Sequence, residues 1–159
     1  MLRNNIDFDY QIRLLSEKFF NDYPNKKYPE ITLKERRAFN FFIFETNYDY
    51  YIAVPFRSKI SHKNAYLFKN SKRSRITKSG IDYSKMLIIK NPEYISGEGY
   101  IDKDEFNEFE KNIKEIAEKS LKYLDDYIKN YSNPKDRKSF ERKYKYTTLK
   151  YFHKELNLE

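Results

Sequence analysis

Hydrophobic positions along this chain of 159 residues change period several times. Tyr10, Leu14, Leu15, Phe19 and Tyr23 recur close to the helical repeat and Pro24 stops them, so a short helix is predicted over residues 10–23. Residues 24–36 turn to Pro, Asn and Lys and read as a loop. Residues 38–45 are aromatic and β-branched, 46–49 are polar, and 50–55 are apolar again, which is a β-hairpin pattern. A short strand fits 64–69. Residues 70–80 show no periodicity and predict a mobile basic loop. A buried strand fits 85–89, with Asn91-Pro92 ending it and a turn at 97–99.

From Asp102 the period becomes helical again, with Phe106, Phe109, Ile113, Ile116, Leu124, Ile128 and Tyr131 on one face. Asp102 and Glu105 have the spacing of a capping box, and the remaining acids of this helix are expected to face solvent. A second helix is predicted over residues 134–156, burying Phe140, Tyr144, Leu149, Phe152 and Leu156. Neither an internal repeat nor a linker interrupts the chain. The expected fold is therefore α+β: a twisted antiparallel sheet packed with an N-terminal helix and two C-terminal helices, in one domain spanning 1–159. No window is apolar enough to span a bilayer and the N-terminus has no apolar leader segment, so a cytoplasmic location is expected.

The core is aromatic, because the chain holds 16 Tyr and 13 Phe but no Trp. For any one half-buried tyrosine a core role is the stronger reading, and a stacking surface for bases the second. Zero cysteines exclude a disulfide framework, a thiolate metal site and a cysteine nucleophile. The two histidines, His62 and His153, lie far apart, and only three glycines are present, none preceding Lys-Ser or Lys-Thr. Neither a metal site nor a phosphate loop is visible, and no cofactor is expected.

Charge is concentrated. Residues 56–90 hold ten Lys or Arg against one acid, Asp82, so this segment carries +9 while the whole chain carries +8. Such a stripe calls for a polyanion, and nucleic-acid phosphates fit it through counterion release. RNA contacts are expected from Lys34, Arg36, Lys63, Lys69, Lys72, Arg73, Arg75, Lys78 and Lys85. Tyr83, together with Tyr66 and Phe68, is expected to stack unpaired bases.

Chemistry is best placed in residues 55–63, where Arg57, Ser58, Lys59, Ser61, His62 and Lys63 follow the second hairpin strand. Metal-free RNA cleavage needs a base for the 2′-hydroxyl, an acid for the leaving 5′-oxygen and cations for the phosphoryl charge. His62 is the nearby group that exchanges a proton near neutral pH. Arg57 suits a bidentate phosphate contact, Lys59 a point-charge contact, and Ser58 can orient the reacting groups. Which residue is acid and which is base stays open at this level. A lone histidine in a basic loop is also compatible with a non-catalytic RNA- or DNA-binding module.

Arg37-Ala38-Phe39, the aromatic hairpin through Glu45, and Tyr51-Ile52-Ala53-Val54-Pro55 with Phe56-Arg57-Ser58-Lys59 resemble the start of the ToxN/AbiQ toxin domain. Pro-Phe-Arg-Ser with a following His, and Ser79-Gly80-Ile81-Asp82-Tyr83-Ser84-Lys85 before an apolar strand, are closest to the CptN and TenpN branches. The resemblance covers residues 34–90. It implies a sheet related to the small toxin barrels of the Kid/MazF type, and an endoribonuclease that leaves 2′,3′-cyclic phosphate and 5′-hydroxyl ends. It further implies a role in phage defence and neutralisation by a small tandem-repeat RNA, which the toxin processes and holds in a closed toxin–RNA oligomer, with cellular RNA as substrate. Arg37 then falls where the family has a functional Lys, Arg57-Ser58 where it has Thr-Ser, and Lys59 one position before a family Lys. Tyr10 and Tyr28 correspond to family tyrosines near the site.

Overall fold

The computed structural model describes residues 10–31 and 40–159. Strands β1 (Tyr10–Leu15), β2 (Phe41–Glu45), β3 (Tyr51–Arg57), β4 (Ala65–Leu67), β5 (Gly80–Asp82), β6 (Leu87–Ile89) and β7 (Ile95–Glu98) form one antiparallel sheet. Its order is β4-β5-β3-β2-β1-β7, with β6 also paired to β3. The path has two ends, β4 and β7, and is not closed into a barrel among the described residues. Among the described residues, five α-helices accompany it: α1 (Glu17–Asp22), α2 (Lys72–Ile76), α3 (Lys103–Lys111), α4 (Ile113–Ser132) and α5 (Arg137–Lys143). The α+β reading holds at this level. Among the described residues, no helix is long and apolar enough to cross a membrane.

The hairpin forms as read, with Phe41 opposite Pro55 and Glu45 opposite Tyr51 across the polar connection. Phe41, Phe42, Ile43 and Phe44 are all buried. Successive strand residues point to opposite faces, so β2 is covered on both sides. Phe42 stacks on Phe44 at 4.8 Å and meets the edge of Phe109 from α3 at 5.1 Å. Among the described residues, the buried hydrophobic side chains other than Ile60 join into one cluster.

Four predicted elements are corrected. Residues 10–23 are not one helix. Tyr10–Leu15 has partners on both edges, β2 and β7, and takes the sheet; only after Ser16, whose Oγ accepts from Phe19 N, does a helix begin. The expected turn at 97–99 overlaps β7, where Gly97 continues the strand beside β1. The helix from Asp102 is two helices, broken at Asn112, whose side chain donates to Glu108 O at 2.8 Å and competes with the backbone. No capping box forms there, since Asp102 makes no side-chain cap. Of the helix read over 134–156, only α5 is α-helical, although Tyr144, Leu149, Phe152 and Leu156 are buried as expected. Beyond α5, Thr147 and Thr148 turn their hydroxyls to Ser84 O and draw the chain away from a helical path.

The basic segment 70–80 is also ordered. Ser71 caps α2 by accepting from Ser74 N at 2.9 Å, and the acids of α3 hold it. Glu105 is buried and accepts from Ser71 Oγ and Ser79 Oγ, both at 2.7 Å. Glu108 accepts from Tyr66 OH at 2.7 Å and Lys69 N at 3.0 Å, and Asp104 accepts from Lys72 N at 2.9 Å. Helical periodicity alone puts these acids in solvent. Their partners are polar groups brought from 26 to 42 residues away, which helical periodicity cannot register.

Candidate active site

The site grows from an interruption in the sheet. β3 pairs with β6 through Ala53↔Leu87 and with β5 through Phe56↔Ile81, so two residues of β3 face the five residues 82–86. Phe56 N–H points to Asn40 O on the β2 side, so by strand alternation the Pro55 nitrogen faces the β5/β6 edge. Proline offers no N–H there, and the opposing chain leaves the ladder as the 3-10 turn Tyr83–Lys85. That excursion carries Asp82, Ser84 and Lys85 to the end of β3.

Asp82 is fully buried and saturated with donors. Its Oδ1 accepts from Ser84 N at 3.0 Å and Ser84 Oγ at 2.6 Å. Its Oδ2 accepts from Arg57 Nη1 at 2.8 Å and faces His62 Nε2 at 3.1 Å. On the other side of the imidazole, Asn64 N donates to His62 Nδ1 at 3.1 Å. These partners assign the neutral tautomer: the proton sits on Nε2 toward the carboxylate, and Nδ1 keeps its lone pair. The loop bearing His62 is pinned by buried Ile60, whose N–H bonds Lys78 O, and by Lys59, whose N–H bonds Thr77 Oγ1 at 2.8 Å. Lys59 adopts a left-handed φ of 57° to make that contact.

A second wall comes from the C-terminal segment, which the sequence reading left out of the site. Thr148 N donates to Ser84 O at 3.1 Å, and Thr148 Oγ1 also donates to Met86 O. Lys85 Nζ donates to Tyr146 O at 2.6 Å. Burial lowers the Lys85 pKa, with Arg57 adding to the effect and Asp82 opposing it. Nearby, Lys150 Nζ lies 2.6 Å from Glu30, and Tyr151 OH donates to the same carboxylate. Burial, reinforced by that bond to Glu30, pushes Tyr151 up to about 12.

Of the residues expected to do chemistry, Arg57 and His62 are brought together on Asp82. Ser58 is half-buried next to Arg57 and makes no side-chain hydrogen bond among the described residues, while Lys59 is exposed. Arg37, Lys34 and Arg36 lie outside the described residues. Lys63, Lys69, Lys72, Arg75 and Lys78 are exposed without an ion pair among the described residues. Arg73 is instead paired with Asp102 at 3.2 Å.

Base stacking by Tyr83, Tyr66 and Phe68 is corrected, because all three are buried. Phe68 lies parallel to Phe56 and Tyr66 is tied to Glu108. Tyr28 packs edge-on against Tyr151 at 4.9 Å, beside the Glu30 pair, whereas Tyr10 packs against Phe42 and Phe109 in the core. Among the described residues, no three His, Cys, Asp or Glu side chains gather as a metal site.

What the sequence reading missed is Asp82, counted only as the one acid in a basic stretch. A solitary acid among ten cations in an apolar Gly-Ile-Asp context was the available signal. Compared with models of known protein families, with curated proteins and with solved structures, the chain matches none.

Proposed function

We propose that this chain is an endoribonuclease toxin of the ToxN/AbiQ kind, which cuts cellular RNA in the cytoplasm without a metal ion. The observation that carries the reading is the buried Asp82 carboxylate holding Arg57 and His62 side by side. A carboxylate on Nε2 fixes the imidazole and stabilises the imidazolium formed when Nδ1 takes a proton. His62 Nδ1, once released from Asn64 N–H, takes the 2′-hydroxyl proton. The 2′-oxygen then forms its bond to phosphorus as the bond to the 5′-oxygen breaks. Arg57 faces the phosphoryl oxygens, and Lys85, a stronger acid than an ordinary lysine, returns a proton to the 5′-oxygen. The products are a 2′,3′-cyclic phosphate and a 5′-hydroxyl.

The remaining parts of the reading are a sheet of the small toxin-barrel type and inhibition by a tandem-repeat RNA held in a closed toxin–RNA oligomer. The unpaired cations near α2 support a polyanionic partner of this kind. They also suit a non-catalytic nucleic-acid module, for which the Asp82–His62 pair would have only a structural duty. Incubating the protein with single-stranded RNA in excess chelator separates the two. Cleavage that persists, and is lost in His62→Ala, supports the enzyme; binding without cleavage, or cleavage only after magnesium is added, overturns it.

A further inference from the structure

Among the described residues, Tyr146 takes no part in the packed core. The residue is 64% exposed, and none of the ring–ring contacts among the described residues involves it. Yet its backbone is held firmly. Lys85 Nζ donates to Tyr146 O at 2.6 Å, and the next two residues are fastened to the 3-10 turn through Ser84 O. The adjoining Thr147 Oγ1 also accepts from the buried Tyr123 OH at 3.0 Å. A residue whose side chain stays out of the core thus has its backbone fixed beside Lys85, the lysine whose charge is coupled to Asp82 and Arg57. Lys145 Nζ stands over the ring, 5.3 Å from its centroid, which makes this rim electropositive as well as aromatic.

We infer that Tyr146 is the stacking platform for an unpaired nucleobase of the strand whose phosphate lies at Arg57 and Lys85. The inference rests on the ribonuclease reading above and adds to it a base-binding subsite on the C-terminal wall. Charge complementarity selects the occupant: a phosphodiester strand satisfies Arg57, Lys85 and Lys145 while its base covers the ring. Tyr83, Tyr66 and Phe68 are buried, so exposed Tyr146 replaces them as the aromatic contact. Stacking on an exposed phenol tolerates any base, so Tyr146 contributes affinity and register more than sequence choice.

The protein has no tryptophan, so Tyr146→Trp introduces a single reporter. The probes are a mixed-sequence single-stranded oligoribonucleotide, 2′-O-methylated to prevent cleavage, and an abasic sugar–phosphate strand of equal length. The oligoribonucleotide quenches the Tyr146→Trp emission and the abasic strand does not. Tyr146→Ala weakens oligoribonucleotide binding about tenfold, leaves abasic binding unchanged, and is rescued by Tyr146→Phe. Equal loss for both strands, or no loss for either, overturns the stacking role while leaving the ribonuclease reading intact. A wild-type protein that binds neither strand overturns both.

Discussion

His62 Nε2 lies 3.1 Å from Asp82 Oδ2, a contact between residues twenty apart that is made entirely at the end of one strand. The same carboxylate accepts from Arg57, so one buried group holds an imidazole and a guanidinium side by side. His62→Ala should lower cleavage by about 10²- to 10⁴-fold with little change in RNA affinity. Asp82→Asn should give a loss of similar size, because the amide no longer holds the Nε2–H tautomer. Single-turnover rates measured beside equilibrium binding check both; a parallel fall in binding and rate would assign the pair to folding instead.

Glu30 gives the rim of the site a pH dependence. Burial alone would raise its pKa, but hydrogen bonds from Lys150 and Tyr151 outweigh that and hold it below the ordinary carboxylate value. A lowered folded-state pKa contributes stability above the unfolded value of about 4.3, and that stability is lost as pH falls through the folded one. Melting temperatures followed between neutral pH and pH 3 should therefore drop less steeply in Glu30→Gln than in the wild type. An identical slope would show that the cluster does not couple to folding.

The exposed cations around α2 should set the salt dependence of binding. Arg73 is engaged by Asp102, so Arg73→Ala should have a smaller effect than Lys72→Ala, Arg75→Ala or Lys78→Ala. Removing all three free cations should reduce the slope of log affinity against log salt by about 2 for single-stranded RNA. Titrations across a salt series read this directly; an unchanged slope would place the RNA elsewhere.

Gly80 is fixed by close approach. A Cβ there would stand 1.9 Å from Tyr66 O, where β5 passes between β4 and β3. Gly80→Ala should cost about 3 kcal/mol or more in denaturant unfolding, because backbone must move to admit the methyl group. Gly97, whose Cβ position meets nothing within 4 Å, is the control and should accept Ala at little cost.

The legible parts of this fold were those written in local pattern. The hairpin of β2 and β3, the β4 strand and the buried β6 all follow from runs of apolar residues bounded by polar turns. The spacing of Tyr10–Leu15 fits either period, and sheet neighbours from residues 41–44 and 95–98 decide for the strand. At the site, Arg57 and His62 were legible from their residue types beside a strand end. Asp82 was not, since its importance comes from burial and from a chain excursion opposite Pro55. Tyr146 was invisible for the same reason: only the tertiary bond from Lys85 places it at the site.

If His62 held on Asp82 activates the substrate's own 2′-hydroxyl as the nucleophile, cleavage requires that hydroxyl at the scissile position. The direct measurement is cleavage, in excess chelator, of an oligoribonucleotide carrying a single 2′-deoxynucleotide at the position cut in the all-ribose strand. The all-ribose strand should yield a 2′,3′-cyclic phosphate and a 5′-hydroxyl, and the substituted strand should stay intact at that position. Cleavage of the substituted strand at the same bond would contradict it.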